Sequence, residues 1–287
     1  MFTFIKTIGL LLLSGLNNTE YIKEHNVNNL SYKLEPNQFV EREYINEFYP
    51  SMNNLIVTNN TNIKEEILPE YQTDIDWRDE YKVSSVKNQG SCGGCWAFSA
   101  VGAIESAWAI KYNKLYNLSE QELIDCSTLN KGCKGGSMDL AFQYIMNNSL
   151  CTNLSYPYTA QDDICNINNC NPIVKIKNYS NVKQNNETAL MRAVSNKPIS
   201  VAIQANKRSF QLYQSGIYSD PECGYNLDHG VLLIGYGYDD LYKMDYWIVK
   251  NSWGKQWGEN GYIRLLRNTN DTRGQCGIAM MPSYPIV

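Results

Sequence analysis

The chain has 287 residues, 43% of them hydrophobic, and a formal net charge of -4. That is long enough for a leader plus one large domain, or two lobes sharing a cleft. An acidic chain with no basic cluster interleaved with aromatics excludes nucleic acid as a partner.

Residues 1–16, MFTFIKTIGLLLLSGL, carry one Lys and then a short apolar run, the pattern of a secretory signal peptide and too short to span a bilayer comfortably. No later segment is apolar for long enough to span either. Nine cysteines is an odd number, which in an exported protein points to paired bridges plus one free thiol. Residues 17–70 are polar, Asn-rich and free of cysteine, so they form a separate unit ahead of a cysteine-rich domain at 71–287. Asn-X-Ser/Thr sequons at Asn29, Asn117, Asn153, Asn178, Asn186 and Asn270 suit a glycosylated exported protein, although so Asn-rich a chain also produces them by chance.

Gln89 to Phe98 reads QGSCGGCWAF, and after Cys95 the apolar residues Trp96, Phe98, Val101, Ile104 and Trp108 recur at helical spacing. This predicts an amphipathic helix of about four turns beginning at Cys95. A helix start favours negative charge, so its thiol is expected to lose a proton easily, and the thiolate is the nucleophile that covalent catalysis uses. Ser119-Glu-Gln-Glu122 is a capping box for a short second helix ending at Cys126. Met138, Ala141, Phe142 and Ile145 predict a third helix over Met138 to Met146. From Ile199 onward ISVAIQ, VLLIGYGY, YWIVKNSW and GYIRLLR read as strands. Helices first and strands later describe an α+β protein. The chain has two histidines, His25 and His229, so the cysteine-rich domain holds one candidate general base. A lone His is more often structural, and an Asn such as Asn251 is more often a turn residue.

The decapeptide around Cys95 resembles the signature of the active-site cysteine in papain-like cysteine proteases, of the cathepsin L type. Gly94 departs from the usual Ser or Ala, and a slightly looser start of the helix is expected. The resemblance, which covers the C-terminal three quarters of the chain, implies a two-lobe fold. A helical lobe (mainly 80–180) and a β-barrel-like lobe (mainly 181–287) would share the active-site cleft. It implies Cys95 as nucleophile, His229 in LDHGVLLIGYG as its proton partner, and Asn251 in KNSWGKQWG orienting the imidazole, with Trp253 shielding that bond. Gln89 matches the oxyanion-hole amide, acting beside the Cys95 backbone N–H. Bridges Cys92–Cys133, Cys126–Cys165 and Cys223–Cys276 are implied. Cys151 and Cys170 are left to form a fourth bridge or stay as two thiols, and Cys95 stays free.

By the same resemblance Gly135 and Gly136 pair with an extended substrate, while Met138, Ala202, Leu227, Gly230 and Met281 line the pocket for the residue two places before the cut. The implied activity is endopeptidase cleavage of protein and peptide substrates after an apolar residue at that position, by an enzyme made as a zymogen. Asn18, Ile22 and Asn26 fit the end of the propeptide helix, and Tyr32-Lys-Leu with Asn37-Gln-Phe39 fits the extended segment after it. The front half of that helix is replaced by the leader, so the propeptide is shortened and weak inhibition is expected. Leu68-Pro69 and Asp76-Trp77-Arg78 place the maturation cut near residues 66–73. The implied partners are substrates, the chain's own propeptide and cystatin-like inhibitors. The resemblance further implies a monomer with no cofactor and no metal, in the secretory pathway and then a lysosome-like compartment or outside the cell.

Three other readings use the same residues. Cys92-Gly-Gly-Cys95 is a C-x-x-C motif, which in a thioredoxin-like fold makes an oxidoreductase, but no parallel strand pattern flanks it. Catalytic zinc usually takes a His, and the one available is already assigned. Against a non-enzymatic homologue stand the intact Gln89, Cys95, His229 and Asn251.

Overall fold

A computed structural model describes residues 17–28, 30–40 and 73–287. The leader, the Asn29 sequon, Leu68-Pro69 and nearly all of the expected maturation stretch lie outside the described residues. Helix α1 (Asn18–Val27) opens on Asn17, whose side-chain oxygen accepts from the Glu20 amide at 3.0 Å. Strands β1 (Tyr32–Leu34) and β2 (Ile75–Asp76) follow, then α2 (Cys95–Tyr112), α3 (Glu120–Cys126) and α4 (Met138–Asn147). The chain then makes β3 (Leu150–Cys151), β4 (Pro172–Val174), β5 (Asn178–Asn181), α5 (Glu187–Val194), β6 (Ile199–Ile203) and α6 (Arg208–Gln211). It ends in β7 (Tyr213–Tyr218), β8 (His229–Asp239), β9 (Met244–Lys250), β10 (Tyr262–Leu266) and β11 (Ser283–Ile286). No described helix is long and apolar enough to cross a membrane.

Nine strands form one sheet in the order β1-β7-β10-β9-β8-β6-β11-β5, with β2 also pairing β8. Two apolar cores result. One is built by α2, α3 and α4 with Val174, Ile176 and Tyr179, and the other lies under the long strands and α5. Helices early and strands late therefore segregate, as the α+β expectation required.

Helix α2 joins the two cores and corrects the sequence reading. It has 18 residues, about five turns, and is buried on every side from Cys95 to Ala107. The residues between its large side chains are Ala97, Ser99, Ala100, Gly102 and Ala103, small enough for the sheet to approach the face expected to meet solvent. Ser99 donates to the Val231 carbonyl at 2.7 Å and its own carbonyl accepts from Ser200 at 3.0 Å, so the sheet side satisfies its polar groups. Trp108, counted in the buried stripe, is only half-buried and stacks on Tyr112 at 4.3 Å.

The capping box of α3 is half formed. Ser119 accepts from the Glu122 amide at 3.0 Å, but the Glu122 carboxylate turns away to the Cys151 amide at 2.7 Å and the Tyr144 hydroxyl at 3.2 Å. Glu122 thereby ties α3 to β3, and burial lifts its carboxyl to about 6. Four disulfides are present, Cys92–Cys133, Cys126–Cys165, Cys223–Cys276 and Cys151–Cys170, and Cys95 is free.

The N-terminal segment adds a strand to the sheet. β1 pairs antiparallel with the edge of β7, Tyr32 opposite Gly216 and Leu34 opposite Tyr213. Gly216 has φ +94°, and a Cβ there would stand 2.3 Å from the Ser31 carbonyl, so only glycine admits the incoming strand. Asn26 clamps Leu34 twice, donating to its carbonyl at 2.8 Å and accepting from its amide at 3.0 Å. Ile22, Tyr32, Leu34 and Phe39 join the core under the sheet.

His25 is buried in this contact, its Nε2 3.2 Å from the Tyr32 carbonyl and its ring 4.5 Å from that of Tyr32, which in turn lies 4.8 Å from Tyr218. Burial holds its pKa below the ordinary value, against the opposing pull of the Tyr32 carbonyl and the Asp220 charge. The docked segment therefore binds fewer protons than the free one, and docking weakens as pH falls below about 6.5. Amide hydrogen exchange in the full chain, corrected for intrinsic rates, should show protection of Lys33 and Leu34 falling between pH 7 and pH 5. His25→Gln should flatten that dependence, and Gly216→Ala should abolish protection at both pH values. Protection that is unchanged or rises toward acid contradicts this account of His25.

Candidate active site

The segment Lys87 to Cys95 is held from three directions. It zips to the segment after β9, where Gln89 N donates to the Ser252 carbonyl at 2.9 Å, Gly254 N donates to Lys87 at 3.1 Å and Asn88 bridges Trp253. The Cys92–Cys133 bridge and a 2.9 Å bond from Gly93 N to the Cys133 carbonyl fix its other end. Gly94 caps α2 without a side-chain bond. A Cβ on Gly94 would meet Ile124 Cδ1 at 2.9 Å, so the tip of that side chain would have to shift to admit a Ser or Ala.

Cys95 begins α2, and β8 begins beside it. Gly230 packs so closely that a Cβ would lie 3.2 Å from the Cys95 carbonyl and 3.3 Å from Met138 Sδ. His229, one residue earlier, is thereby delivered to the start of α2. β8 and β9 run antiparallel with Leu232 opposite Lys250, so the first residues of β8 lie next to the residue after β9, Asn251. His229 Nε2 and Asn251 Oδ1 are 2.7 Å apart, and the same oxygen accepts from Ser252 N at 2.7 Å, which fixes the amide orientation. Trp253 covers the pair, its ring 4.8 Å from the imidazole and backed by Phe210 and Trp257.

Gln89 is fully buried. Its Nε2 donates to the Cys92 carbonyl at 2.9 Å, and its Oε1 accepts from Ser252 Oγ at 2.6 Å, which leaves the second amide hydrogen for another acceptor. Ser252 was passed over in the sequence because Asn251 and Trp253 on either side carried the resemblance. The Tyr158 hydroxyl, which donates to the Gln89 carbonyl at 2.7 Å, had no signal there at all.

Burial opposes the charge expected at the helix start. Burial pushes the Cys95 thiol up to about 11, with the Asp228 charge adding to it and the Gly230, Trp96 and Cys95 amides working the other way. Burial also draws His229 down to about 4 against its bond to Asn251. Burial therefore works against the charge that the helix start favours on Cys95, and against the charge on His229 as well.

Of the expected pocket residues, Met138 and Ala202 are buried in the core built by α2, α3 and α4, Leu227 and Met281 are partly buried against it, and Ala202 stands opposite Gly230 in the β6–β8 register. Gly136 is packed tightly, since a Cβ would lie 2.5 Å from Asn130 Oδ1 and 2.7 Å from Trp96, and Gly135 has φ +108°. Asn130 Oδ1 also accepts from Ser137 N at 2.7 Å, which fixes the Gly135-Gly136 loop. Because Cys92 is bridged to Cys133, the Cys92-Gly-Gly-Cys95 pair is not a dithiol center.

Comparison with known proteins agrees with this geometry. The probable cysteine protease RD21B of Arabidopsis thaliana is 46% identical over 278 residues, which cover 94% of this chain and 59% of the relative. The chain thus spans about three fifths of the length of the curated relatives it matches. The proform of the Amb a 11 cysteine protease, a ragweed pollen allergen, superposes with TM-score 0.87 at 36% identity, covering 94% of this chain and 86% of that one. Bromelain from Ananas comosus, solved with the inhibitor E64, gives TM-score 0.73 at 45% identity and covers 76% of this chain and all of its own. The proform match extends past the share that bromelain covers, into the N-terminal segment. A family model described as papain family cysteine protease matches residues 71–286, and the chain belongs to that family.

Proposed function

We propose that the chain is a cysteine endopeptidase made as a zymogen, with Cys95 as nucleophile, His229 as its proton partner, Asn251 orienting the imidazole and Gln89 as oxyanion donor. The observation that carries this reading is that the four groups stand on segments packed against or bonded to one another. Cys95 starts α2, His229 starts β8, Asn251 follows β9, and Gln89 is bonded to Ser252 beside Asn251. The Nε2 bond to Asn251 leaves Nδ1 to exchange a proton with the thiol. Attack by sulfur on a peptide carbonyl puts charge on the oxygen, which Gln89 Nε2 and the Cys95 amide would receive. The imidazolium then protonates the leaving amine, and water, deprotonated by the same imidazole, releases the acyl group.

Residues 17–70 are read as the propeptide, and 1–16 as a leader that sends the chain through the secretory pathway. Four disulfides suit that oxidising route. Gln38 donates to the Trp253 carbonyl at 3.0 Å, and Phe39 lies 4.9 Å from the Trp253 ring. The segment therefore abuts Trp253, the residue that covers His229.

Purified full-length protein, once matured, should hydrolyse peptidyl arylamides with a bell-shaped pH profile. Cys95→Ala and His229→Ala should each lose about a thousandfold or more in kcat/KM, and Gln89→Ala about 100- to 1000-fold. E64 should label the wild type and not Cys95→Ala. Either alanine variant retaining hydrolysis would refute the assignment.

Substrate choice follows from the apolar lining of Met138, Ala202, Leu227, Gly230 and Met281. A buried cation without a partner is costly there, so Leu, Phe, Val or Met two places before the cut should be favoured by about 1 to 3 kcal/mol over smaller side chains. A carboxylate introduced at position 281 would supply such a partner. Met281→Glu should shift hydrolysis from Leu-Arg toward Arg-Arg substrates, and a wild type already faster on Arg-Arg would overturn the pocket assignment.

A further inference from the structure

Gln89 keeps its Nε2 on the Cys92 carbonyl, three residues before Cys95, only as long as its own backbone stays put. The next residue, Gly90, has φ +59°, and the space where its Cβ would sit is open to 3.7 Å. A peptide unit followed by such a glycine has more freedom to turn than most, and on its N–H side Gly90 holds it by donating to Asn88 Oδ1 at 3.0 Å. On its carbonyl side the bond from Cys92 N is long, at 3.3 Å. The short bond is the one from the Tyr158 hydroxyl, at 2.7 Å.

Tyr158 is itself fixed from both sides in sequence. Ser119 donates to the Tyr156 carbonyl at 2.7 Å, the Tyr156 hydroxyl donates to Asp125 at 2.8 Å, and Thr159 N donates to Gln121 Oε1 at 2.9 Å, all partners on or capping α3. Its ring meets Phe98 of α2 edge-on at 5.0 Å. Burial raises its pKa well above the ordinary phenol value, so the hydroxyl remains a donor throughout the working pH range.

We propose that Tyr158 is a positioning residue for the oxyanion donor, holding the Gln89 peptide so that Nε2 is aimed where negative charge develops. This rests on the endopeptidase reading above. The hydroxyl acts through Gln89 and not on the substrate or the thiol. Its effect should therefore appear in acyl transfer and be absent from a reaction of Cys95 that forms no oxyanion.

The test uses full-length protein matured in the same way for wild type, Tyr158→Phe, Gln89→Ala and the double variant. Hydrolysis of a peptidyl-Leu-Arg arylamide is compared with alkylation of Cys95 by iodoacetamide, a displacement at carbon that needs the thiolate and no oxyanion hole. Tyr158→Phe keeps the ring contact with Phe98 and should lower kcat/KM for hydrolysis by about tenfold through a small misplacement of the donor. Its alkylation rate and the midpoints of its pH profile should match the wild type within twofold. In the Gln89→Ala background the same substitution should add less than twofold. A wild type that alkylates but does not hydrolyse peptides overturns the endopeptidase reading and this proposal together. A wild type that hydrolyses, with Tyr158→Phe equal to it or slowed alike in both reactions, overturns the proposal alone.

Discussion

The close approach of α2 to β8 is the constraint from which the site follows. Gly230 lies against the Cys95 carbonyl and Gly102 against Leu232, where a Cβ would come within 3.0 Å of Cδ2. Ser99 seals the contact with its bond to Val231. Overpacking such a contact costs about 1 to 3 kcal/mol and moves backbone, so the small residues of α2 set position as well as stability. With β8 seated there, antiparallel pairing with β9 carries Asn251 to His229, and the zipper from Ser252 to Gln89 brings in the last group.

Charge supports the same geometry from behind. Glu105, on α2, accepts from Lys87 at 3.0 Å and from the Leu118 amide at 2.8 Å through one oxygen, and from Ser84 through the other. Lys87 reaches Glu120 at 2.6 Å, and Lys250 donates to Ser84 at 2.9 Å. Burial works against the Lys87 charge, but Glu105 and Glu120 raise it above its ordinary range. Lys250, with no carboxylate in direct contact, is drawn down by burial to about 8. Lys87 lies two residues before Gln89 and Lys250 one before Asn251, so one buried carboxylate on the Cys95 helix anchors both neighbouring segments. Removing one partner of such a cluster leaves an uncompensated charge and costs about 3 to 5 kcal/mol, which makes it a positional device more than a source of net stability.

Much of this was legible in the sequence, for identifiable reasons. The four long strands and three helices announced themselves through period and capping, and Gln89, Cys95, His229 and Asn251 stood in motifs that survive without coordinates. What failed were statements about surroundings. Periodicity in Trp96, Phe98, Val101 and Ile104 marked one buried face, but the second depends on Ala and Gly residues whose smallness matters only once β8 is known to lie there. The helix dipole at Cys95 could be read from sequence, whereas the opposing effect of burial is a tertiary quantity. Glu122 fits a capping box by spacing and leaves it because Cys151 and Tyr144 offer better donors. Tyr158 touches Gln89 across 69 residues, and nothing local in YPYT points to that contact.

The N-terminal segment couples a sheet edge to the site. The β7 edge offers unpaired backbone groups, and β1 satisfies them where Gly216 leaves room, while Ile22, Tyr32 and Leu34 extend the core beneath. The same segment continues to Phe39, whose ring lies on Trp253, the cover of the His229–Asn251 bond. Edge pairing at β7 and the contact on Trp253 are thus two ends of one docked element. His25 stands between them in an environment that disfavours its charge, so protonation there loosens the strand whose far end keeps Trp253 covered. The sheet edge needs glycine and the helix beside it carries a histidine whose charge burial disfavours, so docking of the segment depends on both.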